Sequence, residues 1–533
     1  MTVPANEMAQ IKWISEIPLV TAVEPKYLDS QKHLCHYCFE FTTATSLSSI
    51  HRCDGCEQSW YCSEECQKSD WDAWHRMECQ HFKKANWQVF QSGGTTVVDK
   101  FVVLKTARSY FTMILRLVLM QKAGKLADVR GQRFGRSFGD LPTGNVLSRK
   151  SDQCKLIKLF AKIFSTLTLT ESDTQFLRRA VQVVKVNSRL LYQYSIAGKP
   201  LLIGRFLGLD LSCYRHSCRA NAAMISQGRE LFVVPENDSV DLTDLNSVRI
   251  NYFVENVDPK TQYSAAADVY EIASCPCTYC RHPYKSHFWA YSVNCSTCSL
   301  AFSVHVKKGV DTVKCTNCSA LLNAQDTVAL RNFYRQAKDV VANEPKLHYL
   351  PLYKRYVAPV LHLLTPRTVF LWIILSSSTV SLIRMKELAS NNTIPACALW
   401  TGEDIGEWIL ECSAAWVDTD LYENPNVPQN LWQYLTAAFV ASAESQWPTA
   451  EEYLNKARRV VEKYFRPIGE QKFPFCQTIR YLSRCILMRG VKNNSIGSHL
   501  FGWSRYKPGV KSLESTGIMT SLDFASLFHL STQ

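Results

Sequence analysis

Long hydrophobic runs and targeting signals are scarce in this chain. Its most apolar stretch, residues 369–383, is rich in hydroxyl side chains and shorter than the roughly 20 apolar residues that span a membrane. The first residues show no basic segment followed by an apolar one, which a secretion signal requires. These absences argue against secretion and against a membrane partner, and we expect the protein in the cytoplasm, the nucleus or both.

Blocks of like charge are also absent. The 533 residues carry a formal net charge of +13, but lysine and arginine are scattered and no run of six or more occurs. A positive charge suits acidic or nucleic-acid partners, yet the interleaved basic and aromatic residues typical of single-strand binding are missing. Nucleic acid therefore ranks last among the predicted partners, even for the Gly- and Arg-rich residues 123–150, which we interpret as an exposed loop.

Cysteine, by contrast, is abundant, and eight zinc-type ligands fall within one stretch of 45 residues. Disulfides between neighbours two or three residues apart would close strained rings, and a chain without a secretion signal is expected in a reducing compartment. Eight sulfur and nitrogen ligands divide into two tetrahedral zinc sites. The ligands are Cys35, Cys38, Cys53, Cys56, Cys62, Cys66, His75 and Cys79.

The ligand spacing resembles that of a MYND zinc finger. The segment Trp60-Tyr61-Cys62-Ser63-Glu64-Glu65-Cys66-Gln67, followed by Trp71, Trp74 and His75, carries the resemblance. It implies two interleaved zinc sites, one formed by Cys35, Cys38, Cys62 and Cys66 and the other by Cys53, Cys56, His75 and Cys79. It also implies a protein partner, because such fingers dock short proline-containing peptides.

Two further cysteine sets lie downstream. Cys275, Cys277 and Cys280 leave a tetrahedral zinc one ligand short. Cys218 is the best fourth donor, because residues 214–221 resemble the Asn-His-Ser-Cys-x-Pro-Asn signature of SET domains, and the SET and MYND domain family binds a third zinc in this way. A fourth zinc is predicted from ribbon-like spacing at Cys295, Cys298, Cys315 and Cys318.

The SET resemblance implies a protein-lysine methyltransferase that uses S-adenosylmethionine. Residues 245–252 look like the late SET strand that ends in the catalytic tyrosine, which would be Tyr252. The resemblance assigns Asn187, His216, Asn221 and Tyr270 to the cofactor site. The substrate would then be a lysine side chain of a protein.

Several departures from the family pattern favour an alternative. The first 34 residues contain no glycine, whereas the family has a Gly-x-Gly turn there, where bare backbone approaches the cofactor. Arg215 and Ala220 replace an asparagine and a proline, and Tyr270 is the one aromatic left of a pair that walls the lysine channel. The alternative hypothesis is a catalytically impaired scaffold that acts through protein interactions of its finger and its helical domain.

The predicted fold class is α+β, with a β-rich SET core split by the finger and followed by a C-terminal all-α domain. Helices are predicted at residues 98–122 and 156–180, and a pair resembling tetratricopeptide repeats includes a capping-box start at Thr449. The predicted domains are N-terminal SET strands at 1–34, the finger at 35–79, the SET core with a helical insertion at 80–252, a post-SET and zinc-ribbon-like segment at 253–325, the helical domain at 326–466 and an unassigned tail at 467–533.

Overall fold

The chain folds into two compact units that both mix helices with strands. One unit holds nearly all of the described residues up to 252, and the other holds those from 292 onward. The computed structural model describes residues 12–23, 34–39, 51–90, 107–143, 150–194, 198, 200–217, 220–252, 292–303, 313–343, 358–365, 410, 428–443, 446–470 and 473–487.

Two larger sheets and the two-stranded sheet of β3 and β4 form the described β part of the first unit. The five-stranded sheet has the order β1-β9-β8-β10-β7, and the three-stranded sheet has the order β2-β6-β5. Strands β1, β8 and β9 pair antiparallel, whereas β10 runs parallel to both of its neighbours. The strands of the unit are β1 (Ile14–Glu16), β2 (Val20–Val23), β3 (His51–Arg52), β4 (Trp60–Tyr61), β5 (Arg189–Tyr194), β6 (Pro200–Leu207), β7 (Arg215–His216), β8 (Ala222–Gln227), β9 (Glu230–Pro235) and β10 (Arg249–Ile250).

The helices of the first unit are α1 (Glu64–Asp70), α2 (Arg76–Lys83), α3 (Ala107–Lys122), α4 (Lys150–Ile163) and α5 (Glu171–Asn187). Helix α3 is buried around most of its circumference and packs against α5 and β2. The single helix predicted at 156–180 is two helices. Thr170 and Asp173 form a capping box that starts α5 anew, because their side chains satisfy its first backbone N–H groups.

The second unit contains a short hairpin of β11 (Ser292–Asn294) and β12 (Ala301–Ser303), followed by helices. The helices are α6 (Ala324–Asn343), α7 (Leu431–Ala443), α8 (Trp447–Val460) and α9 (Phe475–Leu487). The predicted capping-box start at Thr449 is wrong, because α8 begins two residues earlier with Pro448 in its first turn and no side-chain cap at Gln446. Helix α9 lies in the tail that the sequence left unassigned.

Helices α7, α8 and α9 pack against one another. The resemblance of α7 and α8 to a tetratricopeptide pair stays a prediction, as do the domain boundaries. Among the described helices, none is both long enough and apolar enough to cross a membrane. The apolar run at residues 369–383 lies outside the described residues.

Candidate metal centres and the tyrosine site

The finger, residues 35–79, presents its ligands from short elements that follow each other closely. Cys62 directly follows β4, Cys66 lies in α1, and a single π-helical turn places His75 ahead of Cys79 in α2. The Ser63 side chain caps α1 by accepting a hydrogen bond from the Cys66 N–H at 3.2 Å. This cap fixes the start of the helix that carries the ligand.

The structure brings Cys35, Cys38, Cys62 and Cys66 together, with all four sulfurs within 4.8 Å of one another. The Cys38 and Cys62 sulfurs are 3.6 Å apart, and those of Cys62 and Cys66 are 3.5 Å apart. A tetrahedral zinc with Zn–S bonds of about 2.3 Å separates its sulfurs by about 3.8 Å, whereas a disulfide joins them at about 2.05 Å. The spacing therefore fits zinc.

The second finger set, Cys53, Cys56, His75 and Cys79, is wholly buried. His75 Nε2 lies 3.3 Å from the Cys53 sulfur and 3.4 Å from the Cys56 sulfur, and the Cys53 and Cys79 sulfurs are 3.8 Å apart. One nitrogen and three sulfurs at these distances also fit a tetrahedral zinc. Both groupings are those that the MYND resemblance implies.

The ribbon cysteines of the second unit form a comparable set. The Cys295 and Cys318 sulfurs are 3.5 Å apart, and those of Cys298 and Cys315 are 3.8 Å apart. The predicted third set lies outside the described residues, which contain none of its members Cys218, Cys275, Cys277 and Cys280. The described part of the chain thus holds three four-ligand sets with zinc-like geometry.

All four described Cys-x2-Cys turns share one backbone geometry. In each, the residue after the second cysteine donates its N–H to the carbonyl of the first cysteine, at 2.8 to 3.1 Å. The same residue also adopts a left-handed backbone conformation in each turn. Among the described residues, the non-glycine residues with positive φ are these four, Phe39, Glu57, Ser299 and Ser319, at 58° to 64°.

Relieving this conformation is expected to stabilise the ribbon. A left-handed residue with a side chain costs about 1–2 kcal/mol, so Ser319→Gly should raise the free energy of unfolding by up to about 1 kcal/mol, and Ser319→Val should lower it. Thermal melting of the zinc-loaded protein measures both. Thr316→Gly is the matched control, since Thr316 is exposed in the same turn without positive φ; an equal gain there would contradict the explanation.

A buried charge network joins the second finger set to the core of the first unit. The Glu78 carboxylate lies 3.4 Å from His75 Nδ1 and accepts two hydrogen bonds from the Arg116 guanidinium, at 2.6 and 2.7 Å. Arg116 also donates to the Thr21 carbonyl in β2. Burial would raise the pKa of Glu78, but Arg116 lowers it to about 2. The carboxylate is therefore ionised and orients the His75 ring.

The predicted catalytic tyrosine lies where the parallel strands meet. Strand β10 places Ile250 opposite His216 of β7, and Tyr252 follows two residues later. The Tyr252 hydroxyl donates to the Tyr214 carbonyl oxygen at 2.6 Å, and its N–H donates to His216 Nδ1 at 3.2 Å. The His216 and Tyr252 ring centroids are 5.1 Å apart. We call Tyr214, His216, Tyr252 and Arg189 the tyrosine site.

Asn187 is also buried, but its side-chain amide forms hydrogen bonds within the protein. Its Nδ2 donates to the Pro142 carbonyl at 2.7 Å and to the Val183 carbonyl at 2.9 Å. These bonds tie the C-terminus of α5 to the loop that follows residue 140. Because both amide hydrogens are used, the side chain braces this loop in the described structure.

Asn221 has a similar bracing role. Its Oδ1 accepts from the Arg249 N–H at 2.7 Å, and its Nδ2 donates to the Ser247 carbonyl at 3.1 Å, which fixes the approach to β10. Arg215, which stands where the family has an asparagine, is exposed to solvent. Tyr270 lies outside the described residues.

Sequence reasoning missed Arg189, the first residue of β5. It is 2% exposed, and its guanidinium carbon lies 3.7 Å from the centroid of the Tyr252 ring. Its NH1 donates to the carbonyls of Val186 and Ser188 at 2.8 and 3.1 Å. An arginine directly after Asn187 and Ser188 gave no motif by itself, because the tyrosine that it contacts lies 63 residues away in sequence.

Comparisons with known proteins agree with this geometry. A family profile described as the MYND finger matches residues 35–79. The chain is 22% identical over 218 residues to SET domain-containing protein 14 of Caenorhabditis elegans, a match that covers 40% of this chain and 43% of that protein. The chain thus spans less than half the length of this relative.

Two human relatives match over 45 residues. Protein-lysine N-methyltransferase SMYD4 is 44% identical and N-lysine methyltransferase SMYD2 is 42% identical, each over 8% of this chain and over 5% and 9% of their own lengths. The finger match, the SET-domain relative and the zinc-type geometry of the ligand sets together support a SET and MYND domain protein.

Proposed function

We propose that this zinc-binding protein is a protein-lysine methyltransferase that uses S-adenosylmethionine. The observation that carries the proposal is the convergence of the Tyr252 hydroxyl and the Tyr214 carbonyl, 2.6 Å apart and next to His216, at the end of paired parallel strands. The relatives named as lysine methyltransferases support the reaction class, although each match covers only 45 residues.

The proposed chemistry uses these two oxygens as a positioning pair. S-adenosylmethionine supplies an activated methyl group when it is bound. The Tyr252 hydroxyl and the Tyr214 carbonyl orient a neutral lysine amine, because an amine that donates to a fixed oxygen keeps its lone pair directed away from that oxygen. The His216 ring holds the Tyr252 backbone in register through its Nδ1. We assign the cofactor side to His216, with Asn187 and Asn221 as braces and Tyr270 as the remaining channel aromatic.

The remaining parts of the proposal concern metal and partners. We propose four zinc ions, two in the finger, one in the ribbon and one held by Cys218, Cys275, Cys277 and Cys280. The finger docks a proline-containing segment of a protein partner, and the C-terminal helices hold a protein substrate. Thiolate ligands of this number suit a reducing compartment, so we place the protein in the cytoplasm or the nucleus.

A second candidate function is a non-catalytic scaffold that acts through protein interactions. Arg189 favours it, because a guanidinium 3.7 Å from the centroid of the Tyr252 ring places a positive charge where methyl transfer requires room for a sulfonium and an amine. The finger and the helices would then supply the function, and the strands would only support them.

Tyr252→Phe separates the two candidates. If Tyr252 orients the amine, removal of its hydroxyl is expected to lower the rate of methyl transfer to a lysine peptide array by about 100-fold or more, with cofactor affinity almost unchanged. Calorimetry with S-adenosylmethionine measures binding, and transfer of labelled methyl measures turnover. Tyr192→Phe, in β5, is the control for loss of a tyrosine hydroxyl. Zinc-loaded wild-type protein that binds no cofactor would contradict the methyltransferase and leave the scaffold.

A further inference from the structure

We propose that Arg189 is an internal cation that covers the ring of Tyr252 and thereby sets which charges the tyrosine site accepts. The guanidinium lies 3.7 Å from the ring centroid, and both side chains are more than 90% buried. The inference goes beyond the proposed function and rests on it only in treating Tyr252 as the residue that faces the ligand. The ligand class that it predicts is a neutral or anionic group rather than a second cation.

Two features of α5 keep Arg189 in place. Its NH1 donates to the carbonyls of Val186 and Ser188, which belong to the last turn and the cap of this 17-residue helix. Terminal helix carbonyls lack partners within the helix and carry the negative end of the helix dipole. A cation directly after the helix is therefore held both by hydrogen bonds to these carbonyls and by attraction to the negative end of the helix dipole. Arg189 does not depend on a ligand to stay beside Tyr252.

The position of Arg189 makes a second cation unfavourable. A buried guanidinium on an aromatic face uses the negative potential of that face, so a lysine ammonium or a sulfonium gains little from the ring. At a separation of about 5 Å in a partly buried site, repulsion between two unit charges weakens binding by about 100-fold. Neutral amines and thioethers escape this penalty, because they carry no net charge at the contact atom.

The proposal is tested first with n-butylammonium, which has the charged end of a lysine side chain. Protein carrying ¹³C-labelled tyrosine is titrated, and the Tyr252 resonance is assigned from its loss in Tyr252→Phe. We expect no saturable shift in the wild type and a saturable shift in Arg189→Met, with affinity raised at least about 30-fold. Arg189→Lys keeps the charge and should behave as the wild type. Arg215→Met removes an exposed arginine from β7 and serves as the matched control.

A saturable shift of Tyr252 in the wild type as strong as in Arg189→Met would overturn the proposal, and so would the lack of any shift in a folded Arg189→Met. Melting temperature and near-ultraviolet circular dichroism establish folding. If Arg189→Met does not fold, Arg189→Gln takes its place, since glutamine keeps a hydrogen-bond donor for the α5 carbonyls without the charge.

A second measurement needs no variant and separates this inference from the proposed function. Calorimetry compares S-adenosylmethionine with S-adenosylhomocysteine, which has a neutral thioether in place of the charged sulfonium. We expect the wild type to prefer the thioether by at least about 10-fold and Arg189→Met to lose that preference. Equal affinities in the wild type would overturn the role of Arg189. If neither nucleoside binds while Arg189→Met binds n-butylammonium at Tyr252, the methyltransferase proposal fails and the role of Arg189 stands.

Discussion

Replacing Arg116 by methionine is expected to destabilise the first unit by about 3–5 kcal/mol, because it leaves the Glu78 carboxylate buried without its partner charge. Glu78 is fully buried, and the two hydrogen bonds from Arg116 are its shortest contacts. The loss of stability should appear in both helices, because Glu78 lies in α2 and Arg116 lies in α3. Hydrogen exchange of the amides in these helices measures the free energy of opening.

Arg108→Met is the control on the same helix. Arg108 donates to the neutral Gln58 side chain at 2.7 Å, and the loss of this hydrogen bond is expected to cost about 1 kcal/mol. The double variant Glu78→Met with Arg116→Met should be less destabilised than Arg116→Met alone, since no buried charge remains. Equal costs for Arg116→Met and Arg108→Met would show that the ion pair does not anchor the finger.

Removing zinc is the second change with a large expected effect. Zinc-finger peptides derive about 10–16 kcal/mol from their metal near pH 7. The described residues of the finger, 35–39 and 51–79, form two two-residue strands, two short helices and one π-helical turn around the ligands. A strong chelator is therefore expected to unfold residues 51–83 completely. Zinc content by mass spectrometry, followed together with amide exchange, records the loss. Lower pH should act in the same direction, because protons compete with zinc for the thiolates.

Cysteine variants separate the two finger sets. Cys35→Ser and Cys53→Ser should each lower the zinc content by one ion and open the finger. Cys154→Ser should retain all zinc, since Cys154 is an exposed cysteine of α4 outside the described ligand sets. Retention of slow exchange in α1 and α2 after complete zinc removal would show that the finger folds without its metal.

The finger could be predicted closely from the sequence because its ligands lie close together along the chain. Gaps of two and three residues bring neighbouring cysteines to one metal through local turns. The pairing of Cys35 with Cys62 was implied by the MYND resemblance alone. Helix boundaries were less predictable. The break before Thr170 and the start of α8 at Trp447 depend on capping and on proline in the first turn, and the apolar periodicity does not record either of them.

The sequence by itself indicated the cysteine and histidine sets, the mixed helix and strand content and the short strand that precedes Tyr252. The tertiary structure decided which charges surround these groups. It inserts β10 between β7 and β8, which aligns Tyr252 with His216. It also places the Arg189 guanidinium over the Tyr252 ring and pairs Glu78 with Arg116. These contacts join residues 36 to 63 positions apart. They arise from the packing of whole elements, which local spacing does not encode.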